Sequence, residues 1–196
     1  MTMEYLKRKL LASLATLPLL MSCKTASSDE APRLSEAQKK LQGIGLTLVV
    51  DAVPGAEMLG TEFFADGYKY PFYAKSRMVK TNRSIMSFPG RIVPIEVRVV
   101  WRDNNISRGF PDGRSGITYS GTILGDYTIP VASRIPEAVI QNIRAKGGGL
   151  RLKFRLKPDG VLFGWDIERS VPVPGVTAYR ATVIEMPGGD FLDTKY

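Results

Sequence analysis

The chain has 196 residues, 44% of them hydrophobic and 23% charged, with 27 Lys and Arg against 19 Asp and Glu, one Cys and no His. That balance belongs to ordinary globular proteins and excludes disordered, collagenous and polytopic membrane chains. Without His there is no Ser-His-Asp or Cys-His catalytic site, no HExxH zinc helix and no imidazole proton switch. A single Cys closes no internal disulfide and builds no four-thiolate site. What remains is chemistry run by carboxylates, Lys, Tyr or Ser, or none; no catalytic residues, metal site or cofactor are expected.

Residues 1–22 divide into a basic head with Lys7, Arg8 and Lys9, an apolar stretch from Leu10 to Leu20, and Met21-Ser22. The apolar stretch matches a signal-peptide core and falls short of the ~20 residues of a spanning helix. Leu20-Met21-Ser22-Cys23 resembles the bacterial lipobox. The resemblance implies that Cys23 is the lipidation site, cut free at its amino end and acylated. Several acyl chains at ~0.8 kcal/mol per buried methylene hold such a protein on a membrane. Removing residues 1–22 also takes away Glu4, leaving 24 basic and 18 acidic residues and a net charge of +6. An exported basic protein points away from nucleic acid, towards anionic head groups, an acidic protein surface or no basic partner at all. Lys24–Pro32 is small, polar and aperiodic, as a flexible tether is. The expected organisation is a signal peptide over 1–22, lipidated Cys and tether over 23–42, and one β-rich domain over 43–196.

In chain order, Leu34–Leu41 offers a short helical turn with few apolar residues. Leu46–Val53 is an apolar strand ended by Pro54-Gly55, and Glu62–Tyr70 an aromatic-rich strand candidate broken by Pro71 and the polar stretch Lys75–Ser84. Pro94–Arg102 alternates, placing Ile95, Val97, Val99 and Trp101 on one face. Residues 103–118 form a Gly/Asn/Asp-rich loop, longer than a routine connection and of the kind that carries function. Strand character returns over Tyr119–Val131. Pro136 suits a first helical position, Val139, Ile140 and Ile143 give the apolar stripe, and Gly147-Gly148-Gly149 stops the helix after Lys146. Strands are predicted again at Leu150–Lys157, Val161–Arg169 and Ala178–Met186. The predicted class is mainly β, β-sandwich-like or α+β, with antiparallel sheets and one short helix near 136–146.

Residues 150–169 predict a hairpin. Leu150, Leu152, Phe154 and Leu156 alternate with Arg151, Lys153, Arg155 and Lys157, Pro158-Asp159-Gly160 turns, and Val161, Phe163, Trp165 and Ile167 share the returning apolar face. A four-residue connection keeps like faces together, pairing Leu156 with Phe163 and Phe154 with Trp165. It sets Lys153 opposite Asp166 and Arg151 opposite Glu168. The four cations are either a docking surface for an acidic partner or phosphate head groups, or a solvated sheet face that discourages edge aggregation. Asp166 and Glu168 share a face, but neighbouring cations would hold both ionised, which argues against an acid/base pair. Trp101 and Trp165 fall on inward faces and read as core.

The lipobox, the strand from Ile92 to Asp103 and the hairpin from Gly148 to Arg169 resemble small bacterial lipoproteins. Some of these are similar to immunity proteins encoded beside type VI secretion phospholipase effectors. The resemblance covers about residues 90–170 and transfers no catalytic residue. It implies a non-catalytic, membrane-anchored binding protein in the cell envelope, facing the periplasm, that neutralises a secreted lipase; Lys24 after the Cys, in place of the Asp that favours inner-membrane retention in enteric lipoproteins, points to the outer membrane. The alternative is a structural or assembly lipoprotein of an envelope machine. Candidate partner-binding residues are Arg108, Asp112 and Arg114 in the long loop and Arg151, Lys153, Arg155 and Lys157 on the basic strand.

Overall fold

The computed structural model describes residues 34–88, 92–175 and 180–194; Cys23, the lipobox and the expected tether up to Pro32 lie outside them. The chain runs through α1 (Glu36–Lys40), β1 (Gly45–Ala52), β2 (Glu57–Ala65), β3 (Tyr73–Val79), β4 (Ser84–Phe88) and β5 (Glu96–Arg102). It continues through β6 (Ser107–Gly109), β7 (Ile117–Tyr119), β8 (Ile123–Pro130), α2 (Glu137–Lys146), β9 (Gly149–Lys157), β10 (Gly160–Pro172) and β11 (Arg180–Gly189). The protein is mainly β, as its alternation predicts.

Five strands form a first sheet in the order β11-β10-β9-β1-β4, four form a second in the order β3-β2-β5-β8, and β6 and β7 make a separate two-stranded ribbon. The first sheet is mixed rather than antiparallel, because β1 and β9 pair in parallel from Gly45↔Gly149 to Ala52↔Leu156. Ninety-six residues of intervening chain make that parallel crossover possible, whereas a short turn imposes antiparallel pairing.

Alternation decides what lies between the sheets. Leu48 and Val50 of β1, Leu152, Phe154 and Leu156 of β9, and Phe163, Trp165 and Ile167 of β10 point inward from the first sheet. Phe63 of β2 and Val97, Val99 and Trp101 of β5 meet them from the second. The Phe63 and Phe154 rings touch edge to face across the gap at 5.7 Å between centroids. Each such side chain contributes roughly 1.5–3 kcal/mol through burial. Trp101 and Trp165 are core residues, as expected. Ile95 is not: it precedes β5 and stays 45% exposed.

The β9–β10 hairpin keeps the expected faces but shifts by two residues. Val161 pairs with Leu156, Phe163 with Phe154 and Trp165 with Leu152, so the connection is the two-residue Pro158-Asp159 and Gly160 already belongs to the strand. A shift of two conserves the core face, so alternation alone does not distinguish the registers. On the outer face Asp166 therefore stands opposite Arg151, and Gly164 opposite Lys153.

Two strands, β3 and β4, arise where the sequence reads as a polar interruption. Both are edge strands, β3 of the second sheet and β4 of the first, and edges tolerate such polarity. The long loop contains β6 and β7. Pro136 is the N-cap of α2 rather than its first residue, and Gly147 at φ 75° closes the helix. The packed body also begins before Gly43. A capping box between Ser35 and Gln38 forms α1, Leu41 and Ile44 join the core, and the Gln38 amide donates to Asp66 Oδ2 at 3.1 Å. Residues 34–42 are thus folded rather than tether.

Candidate functional site

Each sheet has an outer face that its own strands make polar, and each face is roofed by a different return of the chain. Over the second sheet, β2 presents Glu62, a charge set in the apolar run Met58–Phe64 and fully buried. Its Oε2 accepts from Arg102 Nε at 3.2 Å and Nη2 at 2.8 Å. Its Oε1 accepts the Tyr119 backbone N–H at 3.0 Å and the Thr118 hydroxyl. One carboxylate therefore ties β2 and β5 to β7, and roots the excursion over residues 103–122. The neck above it is tight. Asp103 Oδ1 accepts from Thr122 N and from Asn104 Nδ2, and a Cβ on Gly121, at φ 113°, would lie 2.4 Å from that oxygen. That backbone conformation strains any side chain and favours glycine.

Beyond this root the ribbon reaches solvent. Arg108 is exposed on β6, directly opposite Thr118, and Ile106 and Ile117 are 62% and 44% exposed. At the tip Arg114 Nε binds Asp112 Oδ2 at 2.8 Å, and its guanidinium lies 5.1 Å over the Tyr70 ring. Phe110 packs on Tyr70 at 4.5 Å between centroids, with Lys69 Nζ 5.2 Å from the same ring. Slight burial works to raise the Asp112 carboxyl, but contacts from Tyr70 and Arg114 hold it below the usual aspartate value. The tip is thus a composite of two loops, aromatic at its base and cationic at its surface. Arg108, Asp112 and Arg114, singled out from sequence, come together on this one ribbon. Tyr70, Phe110 and Glu62 belong with them but escaped the sequence reading; a lone Glu inside an apolar run was the available signal. Beside the neck opens a cleft of about 450 Å³, lined by Met58, Leu59, Trp101 and Leu124 with Arg102 and Asp103.

Over the first sheet the arrangement overturns the expectation of an exposed basic stripe. Arg151 is 4% exposed and Lys153 fully buried. Arg151 makes a two-pronged contact with Asp166, Nε to Oδ1 at 2.5 Å and Nη2 to Oδ2 at 2.9 Å, and Lys153 Nζ lies 3.0 Å from Oδ2. Arg155 grips Asp51 of β1 at 2.7 and 2.8 Å and Asp193 at 2.9 Å. Lys80 and Arg83, from the β3–β4 corner, reach Asp51 at 3.1 and 2.7 Å. Only Lys157 keeps the expected surface character, pairing with exposed Asp159 across the turn. The strand face is neither a bare docking surface nor a solvated one.

The electrostatics follow from burial. Desolvation works to raise the Asp51 carboxyl, but hydrogen bonds from Arg155, Arg83 and Lys80 outweigh it and hold the group below the ordinary value of 3.8. Burial pulls the Lys153 ammonium down from the ordinary lysine range, and Asp166 counters only part of that. Asp51 is therefore an acceptor locked among cations, which makes it a poor proton carrier. Among the described residues no group of three His, Cys, Asp or Glu side chains could hold a metal ion, and no helix is long and apolar enough to cross a membrane. Neither a scan against protein-family models nor searches of curated proteins and of solved structures finds a match.

Proposed function

We propose that the protein is a non-catalytic, lipid-anchored binding protein of the bacterial envelope, and that the β6–β7 ribbon is its recognition element. One observation carries the reading. The ribbon is rooted by a fully buried carboxylate and a neck whose φ of 113° at Gly121 favours glycine, yet it exposes Ile106, Arg108, Arg114 and Ile117. A loop fixed at its base loses little entropy on binding, and exposed Arg and aliphatic groups suit an acidic protein surface with apolar patches. The lipobox resemblance at Leu20–Cys23 supports the anchor, with the outer membrane facing the periplasm as its site. In its most concrete form the function is immunity: neutralising a type VI secretion lipase effector where that enzyme meets membrane lipid.

The test is co-purification of the full-length chain with an effector encoded beside it, together with rescue of cells that express the effector in the periplasm. A complex weakened at least tenfold by R108E/R114E supports the reading. No complex and no rescue would end the immunity form, and unchanged affinity in R108E/R114E would remove the ribbon from it. A complex formed instead with a neighbouring secretion or pilus component favours an assembly lipoprotein.

A further inference from the structure

The cations of the first sheet's outer face are covered by the segment that follows β11. After β11, Asp190 accepts the Phe163 backbone N–H at 2.8 Å and the Arg134 guanidinium at 2.6 Å, which pins the turn out of the strand. Residues 191–194 then cross β10 and β9. Phe191 and Asp193 are half-buried against the sheet while Leu192 between them is 63% exposed. The Phe191 ring lies 4.4 Å from the Arg155 guanidinium carbon and 5.0 Å from Lys153 Nζ. The Asp193 backbone carbonyl accepts from Lys153 Nζ at 3.1 Å, and its carboxylate meets Arg155 at 2.9 Å, Lys80 at 3.4 Å and Arg83 at 4.0 Å.

The floor is shaped for this crossing. Gly164 lies opposite Lys153, and a Cβ there would come 2.9 Å from the Gly188 carbonyl oxygen of β11, 3.0 Å from the Phe191 carbonyl oxygen and 3.3 Å from Lys153 Cε. A larger residue there would press on both β11 and the crossing segment. Beside the contacts with Asp193, Lys80, Arg83 and Arg155 bind Asp51, and Arg151 and Lys153 bind Asp166.

We infer that this face is a cationic peptide-binding groove occupied in cis by residues 191–194, and that its external ligand is an extended segment of a partner protein carrying an aromatic residue two positions before a carboxylate. The aromatic ring takes the cation–π position over Arg155 and Lys153, and the carboxylate takes the place between Arg155 and Lys80. The inference concerns a surface separate from the ribbon, so neither reading depends on the other.

A tethered segment presents itself at an effective concentration of about a millimolar, so a peptide that binds the vacated groove at about ten micromolar should bind the unaltered chain about a hundredfold more weakly. The experiment uses the full chain, a fluorescent, C-terminally amidated GGDFLDT peptide with the sequence of residues 188–194, and the tail-weakened variant F191A/D193N. The peptide should bind the variant about a hundredfold more tightly than the unaltered chain. Peptides with Phe replaced by Ala or the second Asp by Asn should lose that binding, as should adding Lys80→Gln to the variant. Equal binding to both chains, or equal binding of a scrambled peptide, would overturn the proposal. A second measurement needs no substitution: millimolar peptide should speed amide hydrogen exchange of residues 191–194 in the unaltered chain, and unchanged exchange overturns the groove even if the variant fails to fold.

Discussion

The two outer faces solve the same problem with opposite consequences. Both sheets carry charged residues on the side turned from the core, and both are roofed by chain that returns from elsewhere. Over the second sheet the roof is held by one carboxylate, Glu62, whose partner Arg102 keeps 16% of its side chain exposed. The rest of the ribbon extends into solvent. Over the first sheet the roof is the tail, and the charges beneath it form a continuous network from Arg151 through Asp166, Lys153, Asp193 and Arg155 to Asp51. One face displays a surface and the other encloses one.

This comparison ranks the effects of substitution. Replacing Asp166 by Asn leaves Arg151 and Lys153 buried without their common counter-charge, a loss of the kind that costs about 3–5 kcal/mol. Glu62→Gln keeps acceptor capacity for Tyr119 N–H and leaves behind an arginine that solvent already reaches, so about 1–3 kcal/mol is expected. Urea unfolding of the two variants should separate them in that order. Hydrogen exchange should show Glu62→Gln loosening residues 117–119 while β9 and β10 keep their protection. If Glu62→Gln proves the more costly, the contrast between an enclosed and a displayed face is wrong.

Acid sharpens the same contrast. Asp51 lies below 3.8 in the folded chain because the hydrogen bonds from Arg155, Arg83 and Lys80 outweigh its desolvation, and Asp193 does so chiefly through its hydrogen bond from Arg155. A carboxylate with a folded value below its unfolded one contributes stability that is complete above the unfolded value and is lost as pH falls through the folded one. Stability should therefore hold from neutral pH down to about 4 and decline below it. Asp193→Asn should lower the neutral plateau and make the acid decline shallower. A decline as steep in Asp193→Asn as in the unaltered chain would show that the tail network is not what acid breaks.

How much of this was legible in the sequence depends on how far apart the partners lie. The faces of β9 and β10 were readable because both strands alternate without interruption, and the inward positions of Trp101, Phe163 and Trp165 followed. The register was not, because sliding by two residues preserves every face and the choice falls to the turn. β3 and β4 were hidden because Lys75, Ser76, Arg77, Ser84 and Ser87 suit edge strands as well as they suit loops. The burial of the basic stripe was out of reach for a different reason. What covers it comes from 38 to 40 residues along the chain in Asp193 and from 104 residues away in Asp51. No local pattern carries that information, although a single Asp at the end of the apolar run Leu46–Val50 marked a position that required a partner. The loop candidates lie within one local excursion of the chain: Arg108 sits on β6, and Asp112 and Arg114 in the turn between β6 and β7.

The smallest expected effect is also the most pointed. Lys157 ends the stripe, and periodicity gives it the same status as Arg151, Lys153 and Arg155. Its side chain is 33% exposed, and its partner Asp159 is 79% exposed in the turn. An exposed pair of this kind contributes little to stability and is screened by salt. Lys157→Ala should therefore lower the unfolding free energy only slightly at low salt and by less at high salt. Arg155→Ala, two residues away on the same face, should cost several times more, because Asp51 would lose its two-pronged contact while remaining buried. Equal effects at the two positions would mean that the tail does not seal the network, and that the four cations behave as the uniform solvated stripe their spacing suggests.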